Sequence, residues 1–305
     1  MKIMVFDVGG TEIKYSVMDE QMHRTDSGAV PTPQDTQAQF LDAVYRLYAP
    51  HKDEVSGIAM ALPGFVDNRT GYVSNGGALL YNTATPVGQL LAEKCGCPVI
   101  LENDGKAAAM AELANGALKD CCNAAVFIIG TGVGGGIIAN GQLVRGVHFT
   151  AGEYSFVNTN AEAWDAPDQN MACQCSTSNL LKWYRARKAL PEDAPLDGRS
   201  FFAAANAGEP EALEVLRRFC HAVAVQIYNL TVLLDVEKVA IGGGISKQPL
   251  LLESLRSAYD GLYASRAGQA YMEGLPRCQI VPCAFSSEAN QVGVAAAYFE
   301  AMQKK

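Results

Sequence analysis

Two glycine-rich turns, each set between apolar strand sequences, offer the clearest chemistry in this chain. The first lies in residues 5–14 and the second in residues 127–137, and each contains a threonine, Thr11 or Thr131. Glycines let backbone N–H groups converge on an anion without Cβ atoms in the way, and a threonine hydroxyl adds another donor. We interpret the turns as two phosphate-binding loops. Their matched strand contexts predict a duplicated nucleotide-binding core, with one loop from each half.

Acidic residues in two further turns are candidates for proton transfer and substrate binding. Glu102, Asn103 and Asp104 end a short apolar strand directly before a helix. In open α/β folds such a junction faces the ligand crevice, so Asp104 could accept a proton from a substrate hydroxyl while Asn103 orients that substrate. Equally, Asn103 or Asp104 could simply cap the helix. Glu153, in a turn-rich stretch, is either functional or an ordinary exposed acidic residue.

The elements that must position these turns alternate between strands and helices. We predict strands at residues 2–6, 12–18, 57–61, 99–101, 124–129, 135–139, 238–241 and 279–282. We predict helices at residues 37–48, 86–95, 105–117, 177–188, 210–234, 250–265 and 290–302. Ser176 or Ser178 should cap the helix at 177–188, and residues 160–170 should form a surface loop. This alternation predicts an α/β protein with a mostly parallel sheet and helical cover in each half.

The composition argues against several function classes. With 305 residues, of which 49% are hydrophobic and 18% charged, the chain can bury a large core and should form two domains. A net charge of -8 argues against a nucleic-acid partner. The longest apolar stretch, residues 222–234, is interrupted by polar residues and is short for a bilayer. Because a strand is predicted from Lys2, we expect no signal peptide, no membrane partner and a cytoplasmic location.

The nine cysteines are expected to be reduced, because their number is odd and most lie in apolar or helical settings. Two close pairs, Cys95 with Cys97 and Cys173 with Cys175, are the candidate half-sites for zinc. A structural zinc normally needs four ligands, and none of the four histidines is spaced to complete either pair. We therefore do not expect zinc.

The order of the motifs along the chain resembles that of one family. The motifs are Asp7-Val-Gly-Gly-Thr11 with Lys14, Pro63-Gly64, Glu102-Asn-Asp104, Ile129-Gly-Thr-Gly-Val-Gly-Gly-Gly136, Ala151-Gly-Glu153, Ile241-Gly-Gly-Gly244 and Asn290-x-x-Gly293. Together they resemble the ROK family of sugar kinases and repressors over essentially the whole chain. The resemblance implies a duplicated actin-like, ribonuclease-H-like α/β fold, with two lobes around a central cleft. We expect an N-terminal lobe at 1–118, joined by the helix in 290–305, and a C-terminal lobe at 119–289.

The resemblance also implies a role for each motif. Asp104 would be the general base that takes the proton from the attacking sugar hydroxyl, and Asp7 would bind Mg²⁺ directly or through water. ATP and its phosphates would be bound by Asp7, Gly9, Gly10, Thr11, Lys14, Gly130, Thr131, Gly132, Gly242, Gly243 and Gly244. The sugar would be bound by Gly76, Gly77, Asn103, Asp104 and Glu153.

Some positions depart from the family pattern. Many members hold zinc with a histidine and three cysteines, but here the histidine position is Phe156 and the third cysteine position is Leu180. The remaining pair of cysteines cannot hold structural zinc alone. The lost histidine normally touches the sugar, so Phe156 either stacks on a pyranose or packs in the core. Lys182 stands where the family pattern has a glutamate.

Residues 75–81 and 152–156 are similar to the β-glucoside kinases, a subset of the family without zinc. Our first interpretation is therefore an ATP-dependent kinase acting on O6 of glucose or of a β-glucoside such as cellobiose. Glucokinase and N-acetylmannosamine kinase are the alternatives. A repressor would carry a DNA-binding domain before the first hairpin, and we expect none here. A non-catalytic sugar-binding regulator is the alternative of another class, but Lys14 and Asp104 are intact. A homodimer is compatible with the resemblance.

Overall fold

The computed structural model describes residues 1–303, apart from the side chain of Tyr271. Its strands are β1 (Lys2–Val8), β2 (Glu12–Asp19), β3 (Arg24–Pro31), β4 (Ile58–Leu62), β5 (Phe65–Asp67), β6 (Tyr72–Asn75), β7 (Val99–Asn103), β8 (Ala124–Ile129), β9 (Val133–Ala139), β10 (Gln142–Val144), β11 (Lys238–Gly242) and β12 (Gln279–Pro282). Its helices are α1 (Gln37–Tyr48), α2 (Val87–Cys95), α3 (Asp104–Asn115), α4 (Met171–Cys175), α5 (Thr177–Arg187), α6 (Gly198–Asn206), α7 (Pro210–Leu234), α8 (Pro249–Ala264) and α9 (Ala289–Gln303). The end of the predicted 290–305 segment lies outside the described residues.

The first of two compact units contains residues 1–116, residues 143–151 and the segment that starts at residue 287. Its sheet has the strand order β3-β2-β1-β4-β7. Strand β1 pairs antiparallel with β2 and parallel with β4, and β4 pairs parallel with β7. From its second residue onward β1 is buried, because α1 packs in the same hydrophobic cluster as Met4 and Phe6 while α9 also contacts the strand.

The second unit contains residues 117–142 and 152–286. Its sheet has the order β10-β9-β8-β11-β12. Here β8 pairs antiparallel with β9 and parallel with β11, and β11 pairs parallel with β12. Each sheet thus has an antiparallel hairpin that is continued by two parallel strands on one side and flanked by a fifth strand, β3 or β10, on the other. This repetition confirms the predicted duplicated α/β fold. In the first sheet β3 also pairs antiparallel with β2, so that sheet is mixed and not mostly parallel as predicted.

Small residues allow α3 and α9 to pack closely within the first unit. A Cβ on Gly293 of α9 would overlap the backbone carbonyl of Ala107 in α3. Only glycine therefore permits this approach of the two backbones. Asp104 is the first residue of α3 and Asn290 the second of α9. The close packing consequently fixes the positions of two motif residues relative to each other.

Helix α7 has 25 residues and shows why helix length alone does not indicate a membrane span. Its buried residues Val215, Phe219, Val223 and Ile227 recur every fourth position and pack in the core of the second unit. Charged residues occupy the other face, including Arg218. Over residues 1–303, no helix combines the length and the apolarity needed to cross a membrane.

The structure differs from the predicted division at residues 143–151. The prediction placed this segment within 119–289, whereas it groups with the first unit. An ion pair between Arg145 and Glu102 and a cation–π contact of Arg69 with Phe149 connect it there. Sequence reasoning also missed the strands β3, β5, β6 and β10 and the helices α4 and α6. The division of the chain into a sugar lobe and an adenosine lobe stays a prediction.

Candidate active site

The turn between β1 and β2 holds the first predicted phosphate loop. Thr32 Oγ1 donates a hydrogen bond to the carbonyl of Gly9 over 2.8 Å, and Thr32 N donates to the carbonyl of Thr11 over 3.0 Å. Gln34 Nε2 donates to the carbonyl of Gly10 over 2.7 Å. The carbonyl and N–H groups of one trans peptide point in opposite directions. The N–H groups of Gly10 and Thr11 therefore face away from these partners, as binding an anion requires.

Asp7 is the penultimate residue of the buried strand β1 and lies opposite Lys14 in the antiparallel register. The residue is 9% exposed, Lys14 Nζ lies 4.0 Å from its Oδ2, and Asn290 Nδ2 donates to its Oδ1 over 2.9 Å. Burial raises the pKa of Asp7, and the hydrogen bond from Asn290 and the charge of Lys14 oppose that rise. Mg²⁺ in phosphate-transferring sites uses one or two carboxylates together with waters and substrate phosphates. A single carboxylate beside a phosphate loop fits that ion.

The sequence left open whether Asn103 or Asp104 caps the helix α3, and the structure gives the cap to Asn103. Asn103 is the N-cap of α3, because its Oδ1 accepts from Lys106 N over 3.0 Å, and its Nδ2 donates to the carbonyl of Gly64 over 2.9 Å. Asp104 is the first helical residue, is half-buried and accepts from Gly105 N over 2.7 Å. Since Asn103 supplies the cap, the Asp104 carboxylate is not needed for it. The positive end of the helix dipole stabilises the charge of Asp104.

A buried ion pair lies directly before these two residues. The Glu102 side chain is 1% exposed, and its Oε2 accepts from Nε of Arg145 over 2.8 Å, with Nη2 also 2.8 Å away. Its Oε1 accepts from Asn103 N over 3.1 Å. Burial raises the pKa of Glu102, and the Arg145 guanidinium opposes the rise. Arg145, which sequence reasoning did not single out, thus holds the strand end that carries Asn103 and Asp104.

Two predicted sugar-binding glycines, Gly76 and Gly77, lie beside the carbonyl that Asn103 contacts. A Cβ on Gly77 would lie 2.8 Å from the backbone nitrogen of Gly64. Gly77 has a φ angle of +57° and Gly64 one of +92°, and such positive angles favour glycine. A Cβ on Gly10 would lie 3.1 Å from the Cβ of the alanine that follows Gly77. Close contacts therefore bring the 76–78 turn, the first phosphate loop and Asn103 together in the first unit.

The second glycine turn joins β8 to β9. Gly130 N donates to the carbonyl of Gly132 over 3.0 Å, and Thr177 N donates to the carbonyl of Gly130 over 2.9 Å. The N-terminus of α5 thus packs against the turn. A Cβ on Gly132 would lie 2.9 Å from Ser155 Oγ, two residues after Glu153. Within the second unit, the structure brings the predicted phosphate loop next to the turn that contains Glu153.

The turn after β11 contacts the end of β8 in the same unit. Gly243 has a φ of +95°, and a Cβ there would overlap the carbonyl of Ile129. A Cβ on Gly242 would lie 2.6 Å from Ile128 Cδ1, whereas a Cβ on Gly244 would meet open space. Of the three predicted adenosine-site glycines, Gly243 is therefore required by close backbone approach, whereas the neighbours of Gly242 are side-chain atoms. Their contact with a nucleotide stays a prediction.

The positions that depart from the family pattern have different surroundings. Phe156 is 71% exposed, so the alternative in which it packs in the core is wrong, and stacking on a sugar stays a prediction. Leu180 is fully buried in the core. Neither Phe156 nor Leu180 carries a group that can bind zinc, which leaves two of the four ligands of the family's site missing. The residues at this place do not fit a zinc site.

Comparison with known proteins agrees with this geometry. The model of the ROK family matches residues 3–302, so the chain belongs to the ROK family. A relative named β-glucoside kinase from Listeria innocua is 31% identical over 84% of this chain and 87% of its own length. A ROK family protein from Streptococcus pneumoniae, solved with sucrose, has a TM-score of 0.87 and 28% identity, with all of both chains covered. A ROK glucokinase from Streptomyces griseus, solved with glucose and AMPPNP, has a TM-score of 0.79 and 25% identity, covering 97% of this chain and 99% of its own.

Proposed function

We propose that this chain transfers the γ-phosphoryl group of ATP to O6 of a hexose, and that a β-glucoside such as cellobiose is its first acceptor. The class, an ATP-dependent sugar kinase of the ROK family, follows from the family match and from the named relatives. The acceptor is the proposed part. It is supported by the Listeria innocua relative and by the missing zinc ligands. Glucose is the second candidate, because the Streptomyces griseus glucokinase was solved with glucose.

The position of Asp104 carries the proposal. Its carboxylate stands at the carboxyl end of β7, next to the residue that caps α3. As the sugar hydroxyl oxygen attacks the γ-phosphorus, the hydroxyl proton passes to a carboxylate oxygen of Asp104. A new P–O bond forms, the bond from the γ-phosphorus to the bridging oxygen breaks, and ADP leaves. Asn103, Gly76, Gly77 and Glu153 are proposed to hold the sugar in place.

The phosphates of ATP are proposed to bind at the two glycine turns. The N–H groups of Gly10 and Thr11, the Lys14 ammonium and the turn of Gly130, Thr131 and Gly132 are proposed to neutralise their charge. Mg²⁺, when bound, would supply further positive charge to the phosphate oxygens. Asp7 would hold the ion directly or through water, and Asn290 would orient the Asp7 carboxylate. Gly242, Gly243 and Gly244 are proposed to border the adenosine.

A panel of acceptors tests the proposal. Purified protein is incubated with ATP, magnesium and one of five sugars: cellobiose, glucose, N-acetylmannosamine, N-acetylglucosamine or fructose. The highest kcat/KM on cellobiose would support the β-glucoside assignment. Preference for a monosaccharide would instead assign the protein as the kinase of that sugar. Absence of turnover on every sugar would overturn the kinase proposal in favour of a sugar-binding regulator.

The charge of the chain and its missing zinc ligands support further proposals. We propose a cytoplasmic protein with no nucleic-acid partner, on the net charge of -8, and a homodimer compatible with the resemblance. We also propose that structural zinc is absent. Elemental analysis of the purified protein should find well under one zinc per chain, and a stoichiometric zinc content would contradict the proposal.

A further inference from the structure

A cavity of about 410 Å³ in the second unit belongs to neither glycine turn alone. Thr131 of the second turn lines it, together with residues of α4, α5 and α7, and we call it the α5 cavity. Its volume lies within the range of small-molecule sites, about 300–1,000 Å³. The first turn of α5 contributes Ser178 to the lining. In that turn Thr177 N already donates to the carbonyl of Gly130 and Asn179 N to Ser176, so the N–H of Ser178 is the group left to favour an anion.

A buried amide in the lining points to a missing hydrogen-bond acceptor. Asn179 is 8% exposed, and its backbone N–H is bonded to the cap Ser176. Its side-chain Nδ2, however, has no hydrogen-bond partner within residues 1–303. A buried donor without a partner is costly, so such groups are uncommon in folded proteins. A ligand oxygen would satisfy this donor after a rotation of the side chain, because Nδ2 is shielded from solvent in the free protein.

The charges in the lining favour an anionic ligand. Lys182 and Arg218 both line the cavity, and no ion pair involves either of them among the described residues. The Arg218 guanidinium carbon lies 3.8 Å from the centre of the Trp183 ring, which orients the group while its N–H edge stays available. Asp168 is the carboxylate of the lining, and its Oδ1 accepts from Gln169 Nε2 over 2.9 Å. Two cations therefore oppose one carboxylate.

The rest of the lining suits hydroxyl groups better than a nucleobase. Ser178, Gln169 and Gln174 supply polar side chains. A base would need an aromatic or apolar face, but Arg218 already covers a face of Trp183, the aromatic ring of the lining. Thr131 adds a hydroxyl from the second glycine turn. The lining thus combines donors for a phosphate with partners for several hydroxyls.

We propose that the α5 cavity binds a phosphorylated sugar. Lys182, Arg218, the Asn179 amide and the N–H of Ser178 bind its phosphate, and Thr131, Ser178 and the glutamines of the lining bind its hydroxyls. This function goes beyond the kinase reaction and needs no turnover. The phosphorylated sugar is either an acceptor of the kinase or an effector that is not consumed, and the same phosphate chemistry serves both.

Calorimetric titration of the full chain tests the proposal, with glucose 1-phosphate, glucose and inorganic phosphate as separate probes and no ATP present. We expect glucose 1-phosphate to bind, and the double variant Lys182→Gln/Arg218→Gln to weaken that binding by about tenfold or more, because two charge-assisted hydrogen bonds are lost. Asn179→Ala should also weaken it. The matched control Lys119→Gln/Arg217→Gln removes the same charge outside the cavity and should leave the affinity unchanged.

Two results would overturn the proposal. One is inorganic phosphate binding as tightly as glucose 1-phosphate, which would leave only a simple anion site. The other is an affinity for glucose 1-phosphate that is absent or is the same in the wild type and the cavity variants. Addition of ATP and magnesium then separates the two sources, because an acceptor is consumed and an effector is not. If glucose 1-phosphate binds through the cavity but no sugar is phosphorylated, the proposed kinase function fails while this inference stands.

Discussion

Asn290 Nδ2 donates a hydrogen bond to Asp7 Oδ1 over 2.9 Å, although the two residues are 283 positions apart. The bond joins the N-terminal turn of α9 to the end of β1, where the first glycine turn begins. It stabilises the charged form of a carboxylate whose burial favours the neutral form. The protein therefore maintains a charge that is unfavourable for folding and useful for binding a cation.

Replacing this carboxylate should separate stability from activity. Because the pKa of Asp7 is raised on folding, stability falls as pH increases from the unfolded pKa through the folded pKa. At pH 7 the charged Asp7 carboxylate lowers the stability of the fold by its full amount. Asp7→Asn should therefore leave the Tm unchanged or raise it by roughly 2 °C. Turnover should nevertheless fall steeply. Below about pH 3 the stability difference should vanish, because wild-type Asp7 is then protonated.

Thermal melts from pH 3 to 8 check this expectation, with Asp19→Asn as the control. Desolvation of Asp19 is outweighed by hydrogen bonds from His23, so its pKa is lowered. Asp19→Asn should therefore lower the Tm at pH 7 or leave it unchanged. A clear loss of stability in Asp7→Asn at pH 7 would contradict the statement that the buried charge of Asp7 is unfavourable for folding.

Asp104→Asn should remove the general base and preserve the fold. Removal of such a base lowers kcat by about 10²- to 10⁴-fold. ATP affinity should stay nearly unchanged, and so should the Tm, since Asn103 rather than Asp104 caps α3. Asn103→Ala is the comparison, because loss of the cap should cost about 1 kcal/mol of stability. Turnover of Asp104→Asn at the wild-type rate would remove Asp104 from catalysis.

Arg145→Met should destabilise the protein by about 3–5 kcal/mol, because it leaves Glu102 buried without its cation. The loss should be larger at pH 8 than at pH 5. Without Arg145 the pKa of Glu102 rises further, so the carboxyl group becomes neutral at the lower pH. Urea unfolding at both pH values measures the difference.

Two companion variants make the Arg145 prediction specific. Glu102→Gln combined with Arg145→Met should recover part of the stability, since no charge is then left buried. Arg187→Met breaks an ion pair with Glu214 in which the two side chains are 50% and 53% exposed. That exposed pair should contribute no more than about 1 kcal/mol. Equal losses in Arg187→Met and Arg145→Met would show that burial of Glu102 is not the cause.

Gly293→Ala should destabilise the protein by about 1–3 kcal/mol or more, because the new methyl group would overlap the carbonyl of Ala107. Gly261→Ala is the matched control in α8, where a Cβ would meet no neighbouring atom. There the substitution should stabilise the helix by about 0.5–1 kcal/mol. In urea unfolding, the two substitutions should change the free energy of unfolding in opposite directions. If Gly293→Ala leaves this free energy unchanged, α3 and α9 can separate at little cost.

Helices with a clear apolar periodicity could be predicted from the sequence. The predicted boundaries of α1 and α7 match the structure residue for residue, as do those of strand β12. Strand β3 was missed because its residues are largely polar and exposed, so no alternating pattern marks it. Helix α6 was missed although Asp197 and Ser200 form a capping box directly before a buried pair of phenylalanines. That signal was present in the sequence.

The site was predictable where local sequence determines the geometry. The glycine turns and the strand-end position of Asp104 follow from short motifs. Asn290 was recognised as part of a motif, but its bond to Asp7 depends on the packing of α9 against the first sheet. The Arg145–Glu102 pair likewise joins residues whose proximity no local pattern indicates. Long-range partners of this kind require the fold.

The grouping of α9 with the first unit has a consequence for the order of events during protein synthesis. Translation delivers β1 to α3 first, but the helix that contacts β1, β4 and β7 follows only after the whole second unit. Domains generally fold in the order in which they are made. In this chain, part of the apolar surface of the first sheet stays uncovered until α9 has been synthesised. The second unit, although it is made later, can complete its core before that. Chaperone dependence should therefore be concentrated in the half of the chain that is translated first.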